Sequence, residues 1–298
     1  MRGLGPDAAL AAQGDLAVLL TRRERTPALL DEVGRLREVT FRAIGAGTGR
    51  ARDLDAFDDD YEHLVLWDRG AQAVLGAYRV ARVHETLARR GVEGLYTSTL
   101  FRYDPAFFDE LGPALELGRS FVRREAQRAH APLQLLWRGL LALLRAEGRS
   151  HLLGSVTVSA RYQPASQALI ARHLEARRDP VLAARVAPRR APTLPPLGVE
   201  VDVGPLEALD EHVRDLEPDG AGAPVLLRRY LELGASHLAL NVDPAFGEAL
   251  DALLLLDARR GDAPALTRLL RRLERPARPG LRSRGDRRAL VEGGACVA

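Results

Sequence analysis

The sequence predicts an α/β or α+β domain in which helices pack on a mixed β-sheet. Apolar segments of strand length alternate with apolar segments of helix length along most of the chain. Some neighbouring strands are joined by links as short as "WDRGAQ" (67–72), which indicates hairpins and therefore antiparallel pairs beside parallel ones. Hydrophobic residues make up 46% of the 298 residues, which is enough for a sizeable core.

The N-terminal elements begin with a strand predicted at 15–24. Thr26 is a suitable N-cap and Pro27 a suitable first residue for the helix that follows, which glycines end at 45–49. Its apolar side chains recur on one helical face: Leu29, Leu30, Val33, Leu36 and Val39. An acidic loop at 55–62 then leads into a predicted hairpin.

The remaining elements follow an irregular, aromatic-rich stretch at 89–112. We predict strands at 113–122 and 151–160, helices at 132–148, 166–178 and 222–235, and two strands or a strand and a turn at 236–257. A proline-rich connector occupies 179–196. Residues 1–257 are therefore expected to form one domain.

Residues 258–298 are expected to form a separate, arginine-rich tail that is partly helical or disordered. From Arg259 onward the tail contains 11 arginines and four acidic residues. Four leucines lie among the arginines at helical spacing: Leu266, Leu269, Leu270 and Leu273. Such a helix can lie on an anionic membrane surface or an acidic protein, and a solvated tail is the alternative.

The amino-acid composition of the chain excludes several kinds of site and partner. All 43 basic side chains are arginine, which binds phosphate or carboxylate through two parallel hydrogen bonds. The one cysteine, Cys296, allows no internal disulfide or cysteine metal site and suits a reducing cytoplasm. Asp7 and Asp15 interrupt the apolar N-terminus, so no signal peptide is expected. Nucleic acid is not an expected partner, because the tail lacks interleaved aromatics and the core is not basic.

Glu116 and Arg119 are unusual because they lie in the otherwise apolar strand "ELGRSFV". An unpaired buried charge is costly, so the two either satisfy each other or take part in chemistry. Residues three apart on a strand point to opposite faces, so a direct pair requires a bulge, which Gly118 would permit. The alternatives are a structural ion pair and a carboxylate that accepts a proton or orients an amine.

Two further polar groups stand out. Five carboxylates fall within eight residues: Asp55, Asp58, Asp59, Asp60 and Glu62. This acidic loop is either a solvated turn or a site for a cationic amine, and it lacks the glycine that a calcium loop needs. His63 directly follows it, and none of the histidines has a zinc-binding spacing.

The second group comprises Arg123, Arg124 and Arg128, which precede the helix predicted from 132. They form either an anion site or a solvated basic loop. The sequence contains no GxGxxG, GxxxxGK[ST] or GxSxG motif, so dinucleotide-binding, P-loop and serine-hydrolase interpretations lack support.

Several segments in order resemble one family: "LREVTF" (36–41), "DAFDDDYEHLVLWD" (55–68), "VLGAYRV" (74–80), "ELGRSFV" (116–122) and "LQLLWRGLLALL" (133–144). The series resembles the haemolysin-like, ornithine-lipid-type N-acyltransferases of the GNAT superfamily over about 15–257. It is more distantly similar to acyl-homoserine-lactone synthases, which share the first-helix arginine and phenylalanine, the acidic loop and the Glu-x-x-Arg strand.

The resemblance implies a GNAT-like acyltransferase fold. In that fold a mixed central sheet with flanking helices splays between two parallel strands, here 115–122 and 151–159, and the donor's pantetheine arm lies in the gap. The implied activity is transfer of a long-chain, often 3-hydroxylated, acyl group to the amino group of an amino acid such as ornithine, giving a lyso-aminolipid. The donor would be acyl carrier protein or CoA, with no permanently bound cofactor and no metal.

The resemblance also implies roles for individual residues. Glu116 becomes the candidate base or amine-orienting group, with Arg119 as its partner. The acceptor side would include Arg37, Phe41, Asp58 and His63, and the oxyanion would lie near Ser120, Phe121 and Val122. Donor or carrier contacts would come from Arg123, Arg124, Arg128, Trp137 and Arg138.

Two alternatives remain open at the level of sequence. One is an acyl-homoserine-lactone-type signal synthase, and the other is a non-catalytic GNAT-like protein that binds acyl carrier protein or a membrane. The expected location is the cytoplasm, with the arginine-rich tail as a contact to the inner membrane.

Overall fold

The computed structural model describes residues 9–127, 130–197, 204–259, 266–269 and 271. Eight of the ten described strands form one sheet in the order β1-β2-β3-β4-β6-β7-β10-β9, and β5 pairs with β8. The strands are β1 (Ala9–Gln13), β2 (Leu16–Thr21), β3 (Glu62–Asp68), β4 (Ala73–Arg82), β5 (Phe101–Tyr103), β6 (Ala114–Val122), β7 (His151–Val158), β8 (Val186–Pro188), β9 (Ser236–Asp243) and β10 (Ala249–Asp257).

Helices cover both faces of the large sheet. Those of the described residues are α1 (Pro27–Ala43), α2 (Phe57–Asp60), α3 (Val83–Arg90), α4 (Phe107–Leu111), α5 (Arg124–Gln127), α6 (His130–Ala146), α7 (Pro164–Glu175), α8 (Leu206–Leu216) and α9 (Val225–Glu232). Short 3₁₀ turns lie at Val92–Gly94, Tyr96–Thr99, Leu182–Arg185 and Pro244–Phe246. The predicted mixed α/β architecture is confirmed.

The sheet splays between β6 and β7, its one parallel pair among the described strands. The two strands are paired only from Ala114↔His151 to Leu117↔Gly154. Beyond that point β6 continues against β4, and β7 continues against β10. Because every main-chain group of a strand needs a partner, this divergence leaves a row of β6 backbone groups open toward the gap. The predicted splay is therefore confirmed.

A β-bulge in β6 lies at the mouth of the gap. Ala77 of β4 faces Phe121, but Arg79 faces Gly118, so β6 carries one extra residue. Arg119 takes up the bulge in the left-handed region, with φ of 49°. Gly76 of β4 lies opposite Val122, just beyond the bulge. A Cβ added at Gly76 would be 2.6 Å from the Phe121 carbonyl oxygen, so a larger residue would push the two strands apart. The bulge anticipated near Gly118 is thus present.

The core has a layer on each face of the sheet. Helix α6 is apolar on most sides, and its Leu136, Trp137 and Leu140 are fully buried against strand residues. Helix α1 covers the opposite face, where Leu30, Val33 and Phe41 pack with strand residues that include Phe121. Burial of this apolar surface, at roughly 25 cal/mol per Å², holds the two helices on the sheet and so fixes the walls of the gap.

The aromatic-rich stretch packs into a core cluster of its own. Phe101, Phe107 and Phe108 are buried, and the last two contact each other edge to face with ring centroids 5.1 Å apart. Tyr103 joins them at 4.8 Å from Phe107. These rings therefore form a closely packed hydrophobic core for this part of the chain.

Most predicted elements are observed, and the differences have local causes. Strands β1, β5 and β8 and helix α8 were missed because they are short or carry many polar residues. The proline-rich connector contains β8, and so it is part of the fold. The hydroxyl of Thr26 does not cap α1 but contacts the hydroxyl of Thr21 at 2.9 Å.

The arginine-rich tail lies mostly outside the described residues. The exceptions include Leu266 and Leu269, which are buried in the main hydrophobic core. Two leucines of the predicted membrane-facing stripe are therefore used by the protein interior, and the separation expected after residue 257 is incomplete. Among the described residues, no helix combines the length and hydropathy that crossing a bilayer requires.

Candidate active site

A cleft opens where β6 and β7 part. Its floor is formed by both strands, through Leu117, Arg119 and Ser120 of β6 and Ser155 and Thr157 of β7. The cleft holds about 610 Å³ of space, part of it open to solvent. The splay therefore provides a binding site beside unpaired strand backbone.

The walls of this cleft are largely apolar. Phe41 and Ile44 contribute from the end of α1, Tyr230 from α9, and Phe246 from the turn between β9 and β10. The loop after α1 is held by Glu38, whose carboxylate accepts hydrogen bonds from the Thr48 side chain and backbone. Such a lining can accommodate a hydrocarbon chain next to polar groups on the strands.

Asp251 of β10 is the carboxylate that faces the cleft. It is 3% exposed and lies directly opposite Thr157 of β7 and Asn241 of β9. The Thr157 hydroxyl donates a hydrogen bond of 2.7 Å to Asp251 Oδ1. A single carboxylate held in place beside a cleft has the geometry of a proton acceptor.

Burial is the largest cause that raises the pKa of Asp251, and the Asp243 carboxylate adds to it. The Thr157 hydrogen bond and the charge of Arg119 oppose the rise, and the net pKa is about 7. A carboxylate with a pKa near neutrality is suited to take a proton at physiological pH and to return it.

Arg119 lies at the boundary between this cleft and a second one. Tyr96, Arg119 and Phe246 line both. The guanidinium carbon is 5.0 Å from the Tyr96 ring centroid and 4.6 Å from that of Phe246, so the arginine is stacked between two aromatic rings. Its Nε is 3.3 Å from Asp53 and an Nη is 3.6 Å from Asp55.

Arg119 belongs to a network of three arginines and three aspartates. Arg37 donates to both oxygens of Asp58 at 2.8 and 2.9 Å, and its Nε is 3.4 Å from Asp53. Arg79 lies 2.5 Å from Asp55 and 3.5 Å from Asp58. Because the three positive and three negative charges alternate, each buried charge has opposite neighbours.

The network is a structural support for the cleft. Arg37, Asp58 and His63 are 0–1% exposed, and none of them lines either cleft. Burial alone would raise the pKa of Asp58, but Arg37 and Arg79 hold it well below its ordinary value. Burial lowers the pKa of His63 to about 4, so this histidine is neutral at pH 7. In this structure these three residues lie behind the cleft, and the direct acceptor contacts predicted for them stay a prediction.

Glu116 does not pair with Arg119 and does not face a cavity. It is 1% exposed, and its carboxylate accepts hydrogen bonds from the Tyr61 hydroxyl, the Thr97 backbone N–H at 2.7 Å and the Tyr96 backbone N–H at 3.2 Å. Its strand position turns Glu116 toward the Tyr61 side of the sheet, and it lines neither cleft. Its role as the base stays a prediction.

Glu116→Gln is expected to lower the free energy of unfolding, but the fall of kcat/KM at low pH, the acidic limb of the pH–rate profile, should remain. The amide can accept fewer of the three hydrogen bonds, because in either orientation its N–H₂ group faces a backbone N–H donor, that of Tyr96 or that of Thr97, which costs about 1–3 kcal/mol. Chemical denaturation measures the loss, and kcat/KM between pH 5 and 9 measures the limb. A variant of unchanged stability whose pH dependence has vanished would restore Glu116 as the base.

The other predicted residues divide into two groups. Phe41 and Ser120 line the cleft beside Arg119, whereas Phe121 and Val122 are buried in the core. Trp137 is also fully buried, with its ring 4.8 Å from Tyr230 and 6.4 Å from Tyr78. Trp137 therefore supports the cleft wall from behind, and its donor contact stays a prediction.

The arginines of the predicted donor side lie at the start of α5 and on α6. Arg123 is half-buried and contacts Glu125 at 3.4 Å, Arg124 is exposed, and Arg138 is half-buried. Arg128 lies outside the described residues. Within the described ranges, no group of three or more His, Cys, Asp or Glu side chains is placed to hold a metal ion.

Comparison with known proteins agrees with this geometry. Residues 36–138, which include the C-terminal half of α1, the bulged strand β6 and the start of α6, match the acetyltransferase (GNAT) domain family. The GNAT-like fold expected from the sequence is thereby confirmed.

Proteins similar to this chain include two named glycine N(alpha)-acyltransferase. That of Phocaeicola vulgatus is 40% identical over 129 residues, and that of Bacteroides thetaiotaomicron is 37% identical over 137 residues. These matches span 40% and 41% of the relatives' own lengths. A protein of Agrobacterium fabrum named L-ornithine N(alpha)-acyltransferase is 28% identical over 256 residues, 82% of each chain.

Sequence reasoning missed Asp251, Arg79 and Asp53. Asp251 left a signal, because it is an acid in the interior of the apolar strand "ALDALLLLD", whose second aspartate only ends the strand. Arg79 likewise interrupts the apolar strand β4, where it is fully buried near the rings of Phe57, Tyr61 and Tyr96. A charge inside a buried strand indicates either a network or a site.

Proposed function

We propose that this protein is an N-acyltransferase that moves an acyl group from a thioester to the amino group of an amino acid. The observation that carries the proposal is the Asp251 carboxylate beside the gap between β6 and β7. The match of residues 36–138 to the GNAT domain and the names of the relatives support acyl transfer to an amine.

The donor thioester lies along the open edge of β6 in this proposal. From Gly118 onward β6 has no β7 partner, so its backbone groups are free to bind the amides of a pantetheine arm and the carbonyl oxygen of the thioester. The acyl chain extends over Phe41, Ile44 and Tyr230. Arg123 and Arg124 lie next to this edge and favour a negatively charged carrier, either acyl carrier protein or CoA.

The proton balance follows from Asp251. The acceptor arrives as an ammonium, because an α-amino group has a pKa near ~8. Asp251 takes one proton, and the neutral nitrogen attacks the thioester carbonyl carbon. The C–S bond breaks and the leaving thiolate takes the proton held by Asp251, which frees the carboxylate to accept the second proton of the nitrogen and pass it to solvent. Asp251 serves both transfers because its pKa is about 7.

Purified protein mixed with a long-chain acyl thioester and an amino acid is expected to give an N-acyl amino acid, which is a lyso-aminolipid, detectable by mass spectrometry. The donors to compare are acyl-CoA and acyl carrier protein, each in 3-hydroxylated and unsubstituted form. The acceptors to compare are glycine and ornithine. Absence of an amide product from every combination, with the folded state verified by circular dichroism, would refute the proposal.

A further inference from the structure

The second cleft lies on the other side of Arg119 and is polar. Its lining comes from the loop before β5, the chain after β8 and the end of β9. Three arginines and one aspartate reach it: Arg119, Arg189, Arg190 and Asp243. The two clefts are adjacent, because the same three residues, Tyr96, Arg119 and Phe246, line both of them. A molecule in the second cleft can therefore present one end to the first.

Two of the three arginines are already neutralised by side chains. Arg119 has Asp53 at 3.3 Å and Asp55 at 3.6 Å. Arg190 holds Glu248 through both terminal nitrogens, at 2.9 and 2.8 Å. Their charges are therefore committed within the protein.

Arg189 is different. Its Nε donates to the Ser98 carbonyl oxygen at 2.6 Å, which fixes the plane of the guanidinium. Within the described part of the chain, its two Nη atoms have no hydrogen-bond or ion-pair partner. An anchored guanidinium with free terminal N–H groups is the usual donor for a carboxylate.

Asp243 supplies the opposite charge. It is 5% exposed, and its Oδ1 accepts the Ala245 backbone N–H at 2.8 Å, which holds the carboxylate at the end of β9. Asp243 and Asn241 lie two residues apart on β9, and Asn241 faces Asp251 across the sheet. Side chains two apart on a strand share a face, so Asp243 and Asp251 are diagonal neighbours on that face.

We infer that the second cleft is the acceptor site and that it binds a zwitterionic α-amino acid, with the carboxylate on Arg189 and the ammonium between Asp243 and Asp251. The cleft offers one uncommitted positive group and one negative group, which matches the two charges of an amino acid. Acyl donor and acceptor then approach Asp251 from opposite sides of Arg119. This inference rests on the proposed function for its substrate, but its binding step requires no donor.

The test begins with ligands and wild-type protein. Titration calorimetry with glycine and glycinamide, and with ornithine and its decarboxylated analogue 1,4-diaminobutane, compares acceptors with and without the carboxylate. The acids are expected to bind about 10- to 100-fold more tightly, because each of the others loses a charged bidentate hydrogen bond. Equal affinity of acid and amide would overturn the inference without any variant.

Arg189→Gln then tests the residue. The variant is expected to lose the preference for the acid and to raise KM for the amino acid by about 10- to 100-fold, with kcat within a few-fold of wild type. Arg189→Lys should restore part of the affinity. Arg185→Gln is the matched control, because Arg185 is a neighbouring arginine paired with Glu110 that lines neither cleft.

The proposed N-acyltransferase activity and the proposed amino-acid site at Arg189 can be refuted independently. Binding that depends on Arg189 without any amide product would refute N-acyl transfer and leave the amino-acid site in place. Amide product with equal KM for acid and amide, unchanged in Arg189→Gln, would refute this site and leave the acyltransferase.

Discussion

Asp251→Asn is expected to lower kcat by about 100-fold or more while the protein stays folded. Asparagine keeps the size of the side chain and the carbonyl oxygen that accepts the Thr157 hydroxyl at 2.7 Å, but it cannot take a proton. Steady-state kinetics with saturating donor and amino acid measure the effect. Turnover within a few-fold of wild type would remove Asp251 from the mechanism.

The pH dependence gives an independent signature of the same residue. In the wild type, kcat/KM should fall as the pH drops below about 7, because Asp251 becomes protonated there. Thr157→Val should move this limb to higher pH, since the lost hydroxyl stabilises the carboxylate. The limb should be absent from the residual activity of Asp251→Asn. A limb that stays in place in both variants belongs to another group.

Stability should change in the opposite direction to activity. The folded-state pKa of Asp251 is raised from 3.8 to about 7, so its stabilising contribution is complete below about pH 4 and is lost as the pH rises through 7. Asp251→Asn should therefore be more stable than wild type at pH 8, by up to about 4 kcal/mol, and the difference should shrink toward pH 4. Denaturation midpoints at the two pH values give the comparison.

Arg37→Met is expected to produce the largest loss of stability, about 3–5 kcal/mol. The change removes the bidentate partner of Asp58 and one neighbour of Asp53, and both carboxylates are fully buried. A buried charge without its partner is far more costly than the pair itself. Urea denaturation at pH 7 measures the free energy of unfolding.

A double variant tests whether the loss of stability comes from leaving the Asp58 carboxylate without Arg37. Arg37→Met combined with Asp58→Leu removes both charges and should recover part of the loss, because no bidentate partner is missing. Arg35→Met is the matched control, since Arg35 lies on the same helix but pairs with Glu32 at the surface, where such pairs contribute less than about 1 kcal/mol. Equal effects of Arg37→Met and Arg35→Met would show that the network does not hold the fold.

The network also connects stability to the site. Asp53 contacts both Arg37 and Arg119, and Asp55 contacts both Arg79 and Arg119. The position of Arg119 between the two clefts therefore depends on charges buried behind it. The left-handed backbone at Arg119 costs energy, and it persists because these contacts specify it.

The sequence by itself determined the layers of this fold. Alternating apolar strand and helix segments predicted β2, α1, the β3–β4 hairpin, β6, α6 and β7, because each must bury one face. Gly118 indicated the bulge, and ordered motifs indicated the GNAT domain before any comparison. These features are local, so they can be read from periodicity and from single residues.

Only the tertiary structure decided which charges serve the site. Glu116 and Asp251 look alike in sequence, as acids in the interior of apolar strands. In the structure Glu116 is enclosed by Tyr61, Tyr96 and Thr97, whereas Asp251 faces the cleft. The environment of a carboxylate depends on residues far away in the chain: Thr157 is 94 positions from Asp251. Pairing across strands sets burial and hydrogen bonding, and these set the pKa and therefore the chemistry.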